Sequence, residues 1–258
     1  MVSRFQGQAV IITGAASGLG ATCAREFAAE GALLTLVDID ERELRITRDR
    51  FGLDPANAVL VAGSVAVEAT AQESIQRAIS AFGRVDVLVN NAAIDPIEAG
   101  SVGETSVDVW DRVMAVNLRG AYLFARAALP VMVAQGRGVL IHTASISALR
   151  PTPEEAAYSV SKAALLQLSR SIALDYGKFG IRSNCVCPGF LEAVMTDRAH
   201  DLTPEDLAAR SQSAGALVPL GREGRYDEIA AAILYLASEA SAYVSGSSLV
   251  VDGGMTLA

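Results

Sequence analysis

Residues 9–38 read AVIITGAASGLGATCAREFAAEGALLTLVD. The run AVIIT at 9–13 is apolar and rich in β-branched residues, which favours a buried strand. Three glycines follow, Gly14, Gly18 and Gly20, and a helical pattern occupies 18–30. A second apolar run, ALLTLVD at 32–38, closes the unit and ends on an acid. This strand–turn–helix–strand arrangement opens a parallel sheet, because two parallel strands need a crossover and a helix supplies it.

A Gly-rich turn at a helix N-terminus is also a cradle for a pyrophosphate. Glycines let the backbone come close, and the first helical turn supplies N–H groups and positive dipole. The spacing here is G-x-x-x-G-x-G rather than G-x-G-x-x-G, and a tight turn that merely packs would read the same way. Asp38 adds weight to the nucleotide reading. It ends the second strand, 18 residues after Gly20, where a carboxylate can accept from a ribose 2′-OH and repels a 2′-phosphate. Neither Ser17 nor Ile39 offers a positive charge to such a phosphate. NAD(H) is therefore expected over NADP(H). The plainer alternative for Asp38 is a helix cap, but Asp40 is placed to fill that role and to leave Asp38 free.

Further along, strand-like runs alternate with helical stretches. Strands are expected at 58–63, 85–92, 138–144, 181–187 and 247–252. Helices are expected at 41–51, 67–82, around 106–135, 156–178, 203–213 and 226–238. The strands are nearly continuous apolar runs, as when helices cover both faces of a sheet. The expectation is one α/β domain over 1–258, with a doubly wound, mostly parallel, seven-stranded Rossmann-type sheet.

Composition narrows the function classes. The chain has 258 residues, 51% hydrophobic and 19% charged, with net charge −8 and no Lys/Arg block. Nucleic acid is not an expected partner, since phosphate binding needs a basic stripe. No apolar run approaches the ~20 residues of a membrane span, and the N-terminus lacks a signal-peptide layout. A cytoplasmic protein is expected. Cys23, Cys185 and Cys187 give an odd count without a disulfide pattern, and His142 and His200 are the only histidines. No metal site is expected from these, and His142, on an apolar strand, reads as a satisfied core histidine.

Residues 141–162, IHTASISALRPTPEEAAYSVSK, carry the remaining chemistry. Tyr158 and Lys162 lie four apart, on one helical face. An ammonium beside a phenol favours the phenolate and makes Tyr158 a credible general acid/base. As an isolated pair this would be an ordinary helix-surface contact.

The chain as a whole resembles the short-chain dehydrogenase/reductase family in its single-domain form. The likeness runs in order through TGAASGLG at 13–20, Asp38, NNAA at 90–93, Asn117 in VNLRG, Ser145, YSVSK at 158–162, PG at 188–189 and VDGG at 251–254. It implies that Tyr158 exchanges a proton with the substrate oxygen and that Ser145 hydrogen-bonds that oxygen. Lys162 would hold the nicotinamide ribose and lower the Tyr158 pKa, and Asn117 would anchor a proton-relaying water. Gly14, Ser17, Gly18, Leu19, Gly20, Asp38, Ile39, Ser64, Val65, Asn91, Ala92, Pro188, Gly189, Phe190 and Leu191 would join Tyr158 and Lys162 around the cofactor. Ser147, Ile94, Phe190 and Glu155 would meet substrate, under a lid at about 190–217. A homotetramer is implied as well.

Three positions depart from the family pattern. Ala93 stands where the family has Gly, so its φ must be negative or the backbone displaced. Ser64 replaces an acid that meets the adenine amino group. Ala193 replaces a Thr that binds the carboxamide. Each is worth about 1 kcal/mol of cofactor binding, the scale of one hydrogen bond. No basic cluster faces the expected substrate region, so an uncharged alcohol or ketone is favoured. A 3-oxoacyl carrier-protein reductase is disfavoured by Asp38, and a non-catalytic NAD-binding member by the intact Asn117, Ser145, Tyr158 and Lys162.

Overall fold

The computed structural model describes residues 3–96, 98–192, 203 and 215–257. Seven strands form one sheet: β1 (Ala9–Thr13), β2 (Leu33–Asp38), β3 (Ala58–Ala62), β4 (Val87–Asn90), β5 (Gly138–Thr143), β6 (Ile181–Pro188) and β7 (Ser248–Val251). Their order is β3–β2–β1–β4–β5–β6–β7, and every neighbouring pair is parallel. All seven expected strands are present, with ends shifted by no more than two residues.

The described helices are α1 (Gly18–Ala29), α2 (Glu41–Arg50), α3 (Glu68–Phe82), α4 (Val107–Met114), α5 (Ala121–Gln135), α6 (Ala156–Tyr176) and α7 (Tyr226–Ala237). The helix expected at 203–213 and most of the lid expected at 190–217 lie outside the described residues. The stretch 106–135 is not one regular helix. Between α4 and α5, residues Ala115–Gly120 form a wider π-helical turn. Such turns insert an extra residue and re-aim the side chains on either side. Here Gly120 presses on its neighbour: a Cβ on it would lie 2.8 Å from Val65 Cγ2.

The sheet is covered on both faces. Alternation along β1 sends Val10 and Ile12 to one side and Ile11 to the other. The first side packs against Leu19, Cys23, Ala24 and Phe27 of α1 and Ile229, Ala230 and Ile233 of α7. The second packs against Ala71 and Ile75 of α3, Phe124 and Ala128 of α5, and Ile172 of α6. None of the described helices is long and apolar enough to cross a membrane.

The chain leaves β1 towards β2 on one side and β4 towards β5 on the other. A crevice opens where those two directions part, at the C-terminal ends of β1 and β4. The candidate residues gather around it.

Candidate active site

The loop after β1 is closed tightly by its glycines. Gly14 has φ +66°, and a Cβ there would stand 2.9 Å from the Ala92 Cα. A Cβ on Gly20 would fall 1.9 Å from the Gly14 carbonyl oxygen. Side chains there would collide with the protein's own backbone, so these glycines let the turn close tightly on itself and on the loop after β4. Ser17 occupies the cap position of α1 but makes no side-chain cap bond. The N–H groups at the start of such a helix are the donors it can offer an anion. Leu19 buries its side chain in the core, so only its backbone belongs to the cradle.

Two sets of bonds fix the loop. Thr13 Oγ1 accepts from the N–H groups of Asn91 at 3.0 Å and Ala92 at 3.1 Å. The Asn91 amide donates to the carbonyls of Thr13 and Gly14, both at 3.2 Å. The ends of β1 and β4 are thereby stapled together, with Asn91 serving the loop through its side chain. Thr13 was not singled out in the sequence, where it reads as the last residue of an apolar run.

Asp38 is tied to the same loop. Its carboxylate accepts from Ala16 N–H at 3.0 Å and from Asp40 N–H at 3.1 Å. Asp40, not Asp38, caps α2, accepting from Glu43 N–H at 3.0 Å. Asp40 takes the capping role as expected, and Asp38, free of it, also braces the turn through Ala16 N–H. Ile39 beside it is exposed. On the adenine side, Ser64 Oγ accepts from Ala66 N–H at 3.3 Å, while Val65 is buried. Ala93 does not adopt a left-handed backbone; among the described non-glycine residues only Glu154 does, with φ +61°.

The proton-transfer candidates converge from the end of β5, the π-helical turn and α6. Lys162 is 2% exposed, and its Nζ donates to the Thr143 carbonyl at 2.8 Å. The same Nζ lies 5.4 Å from the centroid of the Tyr158 ring. Burial pushes the Lys162 pKa down to about 8, with Cys185, Asp95 and Cys187 opposing in part. Ser145 opens a short turn in which its Oγ accepts from Ser147 N–H at 3.1 Å and donates to Ser147 Oγ at 3.2 Å. Ser147 Oγ in turn pairs with Thr152 Oγ1 at 3.1 Å. Ser147, expected at the substrate, is thus buried in a hydroxyl chain behind Ser145.

Asn117 sits in the π-helical turn. Its Nδ2 donates to the Ile94 carbonyl at 2.9 Å and to Ser161 Oγ at 3.1 Å, and its Oδ1 accepts from Ile94 N–H at 2.8 Å. The side-chain amide is therefore committed to the loop after β4. Ile94, expected to meet substrate, is held by both its backbone groups.

After β6, Gly189 approaches the last strand closely: a Cβ would stand 2.8 Å from the Asp252 Cα. Pro188 precedes it, buried, at the strand end. Phe190 and Leu191 are half-buried. The Phe190 carbonyl accepts from Gly224 N–H at 2.9 Å, and Leu191 packs on the core beside α7. Leu191 therefore presents backbone, not side chain, to the crevice. Glu155 precedes α6 and is half-buried.

His142 is completely buried next to this centre, but it is not fully satisfied as the sequence suggested. Asn90 Nδ2 lies 3.3 Å from its Nδ1, whereas Nε2 has no hydrogen-bond partner. Burial, then the Lys162 charge, push its pKa down to about 4, so the ring is neutral near pH 7. Cys185 and Cys187 are buried thiols raised to about 12 and about 11, mainly by desolvation. They are poor nucleophiles and poor metal ligands in that state.

Residues 14–256 match the family model described as enoyl-(acyl carrier protein) reductase. An uncharacterized oxidoreductase of Thermotoga maritima is 40% identical, over 98% of each chain. The 2-(R)-hydroxypropyl-CoM dehydrogenase of Xanthobacter autotrophicus is 42% identical, over 95% of this chain and 97% of that protein. The crystal structure of levodione reductase superposes with a TM-score of 0.93 at 31% identity, covering 99% of this chain and 100% of the other. A parallel sheet with a glycine cradle at its switch point, matched throughout by such proteins, defines an oxidoreductase. The chain belongs to the short-chain dehydrogenase/reductase family. Members of that family generally use NAD(P).

Proposed function

We propose that the chain is an NAD(H)-dependent dehydrogenase that interconverts a secondary alcohol, or a polyol hydroxyl, and the corresponding ketone. The observation that carries this reading is the buried Lys162 ammonium 5.4 Å from the Tyr158 ring. The positive charge favours the phenolate, so Tyr158 can take the hydroxyl proton from an alcohol and return it to a ketone. Ser145 would hydrogen-bond the same oxygen and fix its position, and its own hydroxyl is oriented by Ser147 and Thr152. Bound NAD would supply the acceptor for the hydride leaving the carbinol carbon. With the Asn117 side chain occupied, a relay water would have to be held by its backbone.

NAD rather than NADP is supported by the Asp38 carboxylate, which braces the cradle and would repel a 2′-phosphate. The named relatives act on hydroxypropyl-CoM and levodione; for this chain an uncharged alcohol or ketone is proposed, with no nucleic acid or membrane as partner. A homotetramer working in the cytoplasm completes the reading. Leu174, Tyr243 and Leu257 stand exposed at 84%, 104% and 91% and would gain by burial between subunits.

The test is Tyr158→Phe. Turnover of a panel of secondary alcohols, polyols and ketones, read by NADH absorbance, should vanish, while NADH still binds. Retained turnover would remove Tyr158 from proton transfer. The description of the matched family model favours a second reading, chemistry on acyl carrier-protein thioesters. Including a crotonyl thioester and an acetoacetyl thioester with NADPH in the same panel decides between them.

A further inference from the structure

We propose that the open edge of β3 docks an extended acidic peptide of another protein, which adds to the sheet as one more strand. β3 stands at the end of the sheet order, and among the described residues no strand pairs with its outer side. Leu34 N–H donates to the Asn57 carbonyl at 2.7 Å, and Gly63 N–H donates to the Asp38 carbonyl at 2.8 Å. Residues 57 and 63 therefore face β2. Backbone groups alternate sides along a strand of a parallel pair, so the N–H and C=O groups of Ala58, Leu60 and Ala62 turn outward. The strand itself, AVLVA, carries neither charge nor proline, which are common devices for closing an edge.

That edge runs along a groove of about 340 Å³. Arg45 and Arg48 line it from α2, and Arg77 lines it from α3. The two helices pack on opposite faces of the sheet, α2 through Leu44 and α3 through Ala71 and Ile75, so the arginines flank the edge from both sides. Glu41 is the acid among the described lining residues, which leaves the groove positive in a chain of net charge −8. Arg45 pairs with Glu41 at 2.5 Å, Arg48 with Asp49 at 2.8 Å and Arg77 with Glu73 at 3.6 Å. The Arg45 and Arg77 pairs are about half exposed on both partners, and such pairs yield readily to a competing carboxylate. A guanidinium also carries enough N–H donors to serve a second carboxylate.

Side chains three apart on a helix stand about 5–6 Å from one another, close to the ~6.6 Å between alternate side chains of a strand. Acids at alternate positions of an extended peptide therefore match Arg45 and Arg48, while an acid at the position between them faces Arg77. Backbone pairing supplies the affinity, and the charge pattern supplies the selectivity. A second copy of this chain would set the same arginines against one another, and like charges across a strand pair are unfavourable.

The experiment titrates the whole protein into a fluorescein-labelled peptide of about eight residues, long enough to span β3, with Glu at its centre and Val and Thr on either side. Fluorescence anisotropy reads the binding. The wild-type chain should bind this peptide and not its Lys counterpart. Arg45→Gln combined with Arg77→Gln should weaken binding by about tenfold, through the loss of charge-assisted contacts, with the thermal midpoint unchanged. Peptides N-methylated at one or the other alternate set of residues keep their charge but lose pairing donors, and binding should be abolished for at least one set. No binding of the Glu peptide at about 1 mM, equal binding of the Lys peptide, or unchanged affinity in the variant overturns the docking site. Binding that survives both N-methylations shows a charged patch without strand addition, and overturns the proposal as well. So does self-association of the wild-type chain that the two substitutions abolish, which would give the edge to a second copy.

Discussion

Lys162 holds a charge where the fold disfavours one, so replacing it should make the protein more stable while destroying turnover. The ammonium is 2% exposed, and its pKa falls from 10.5 to about 8. That gap corresponds to ~3 kcal/mol against the charged form in the folded state. In the unfolded chain the lysine keeps its ordinary value. Between about pH 8 and 10.5 the unfolded chain therefore binds more protons than the folded one, and stability rises with pH across that window. The cost is fully present below about pH 8 and gone above about 10.5. Lys162→Met keeps an unbranched apolar stem and removes the charge. It also removes a charge-assisted bond to the buried Thr143 carbonyl, a loss of ~2 kcal/mol. The net gain at pH 7 is ~1 kcal/mol, or roughly 2 °C in the thermal midpoint for a chain of this length. Thermal unfolding followed by circular dichroism, without cofactor, at pH 7 and near pH 10 measures it. The difference between the two proteins reports position 162 together with the groups its charge perturbs, His142, Cys185, Cys187 and Tyr158. A variant less stable than wild type at pH 7 would refute the argument. So would a difference that stays constant between the two pH values.

Two further substitutions test the cradle and the helix turn. Asp38→Asn keeps one acceptor oxygen where the carboxylate uses two, one for Ala16 N–H and one for Asp40 N–H. It should cost ~2 kcal/mol in urea unfolding, from one charged bond lost and one weakened, and should narrow the ratio of kcat/KM for NAD over NADP. An unchanged ratio would separate Asp38 from the ribose. Asn117→Ala removes three bonds to Ile94 and Ser161. Stability should fall by about 2–3 kcal/mol, since the buried partners are left unsatisfied, and turnover should fall further than NADH affinity. Equal stability would mean that the turn does not depend on this amide.

The sheet was legible because each strand is a compact apolar run between turn residues, and a doubly wound sheet needs little else. The interruption at Ala115–Gly120 was not, because a π-helical turn leaves hydrophobic periodicity nearly intact on both sides. Its reason lies in Asn117 and in the contact of Gly120 with Val65, which only the third dimension brings together. Gly14, Gly18, Gly20 and Asp38 were legible from type and spacing, while the partners that fix them were not. Thr13 looked like a strand residue, and Asn91 like a cofactor ligand rather than a staple. The approach of the Tyr226 ring to Gly18 gave no signal at all, since the two lie more than two hundred residues apart. Half of His142 was misread because a chain shows that a histidine is buried, but not which ring nitrogen is left without company.

The hold of Gly224 on the loop after β6, at Phe190 and again at Glu192 N–H, has an evolutionary consequence. Together with the Leu220 N–H bond to the Gly253 carbonyl, it anchors the chain on both sides of the interval 193–219, most of which the sequence assigns to a substrate lid. These anchors are made of backbone groups, so they are indifferent to the side chains strung between them. Segments of other lengths and compositions can be exchanged there without renegotiating the sheet or the cradle. Such a layout lets one oxidoreductase scaffold be refitted for new substrates by mutation in a single interval. Grafting that interval from a relative should carry over its preference and leave its choice of nucleotide behind.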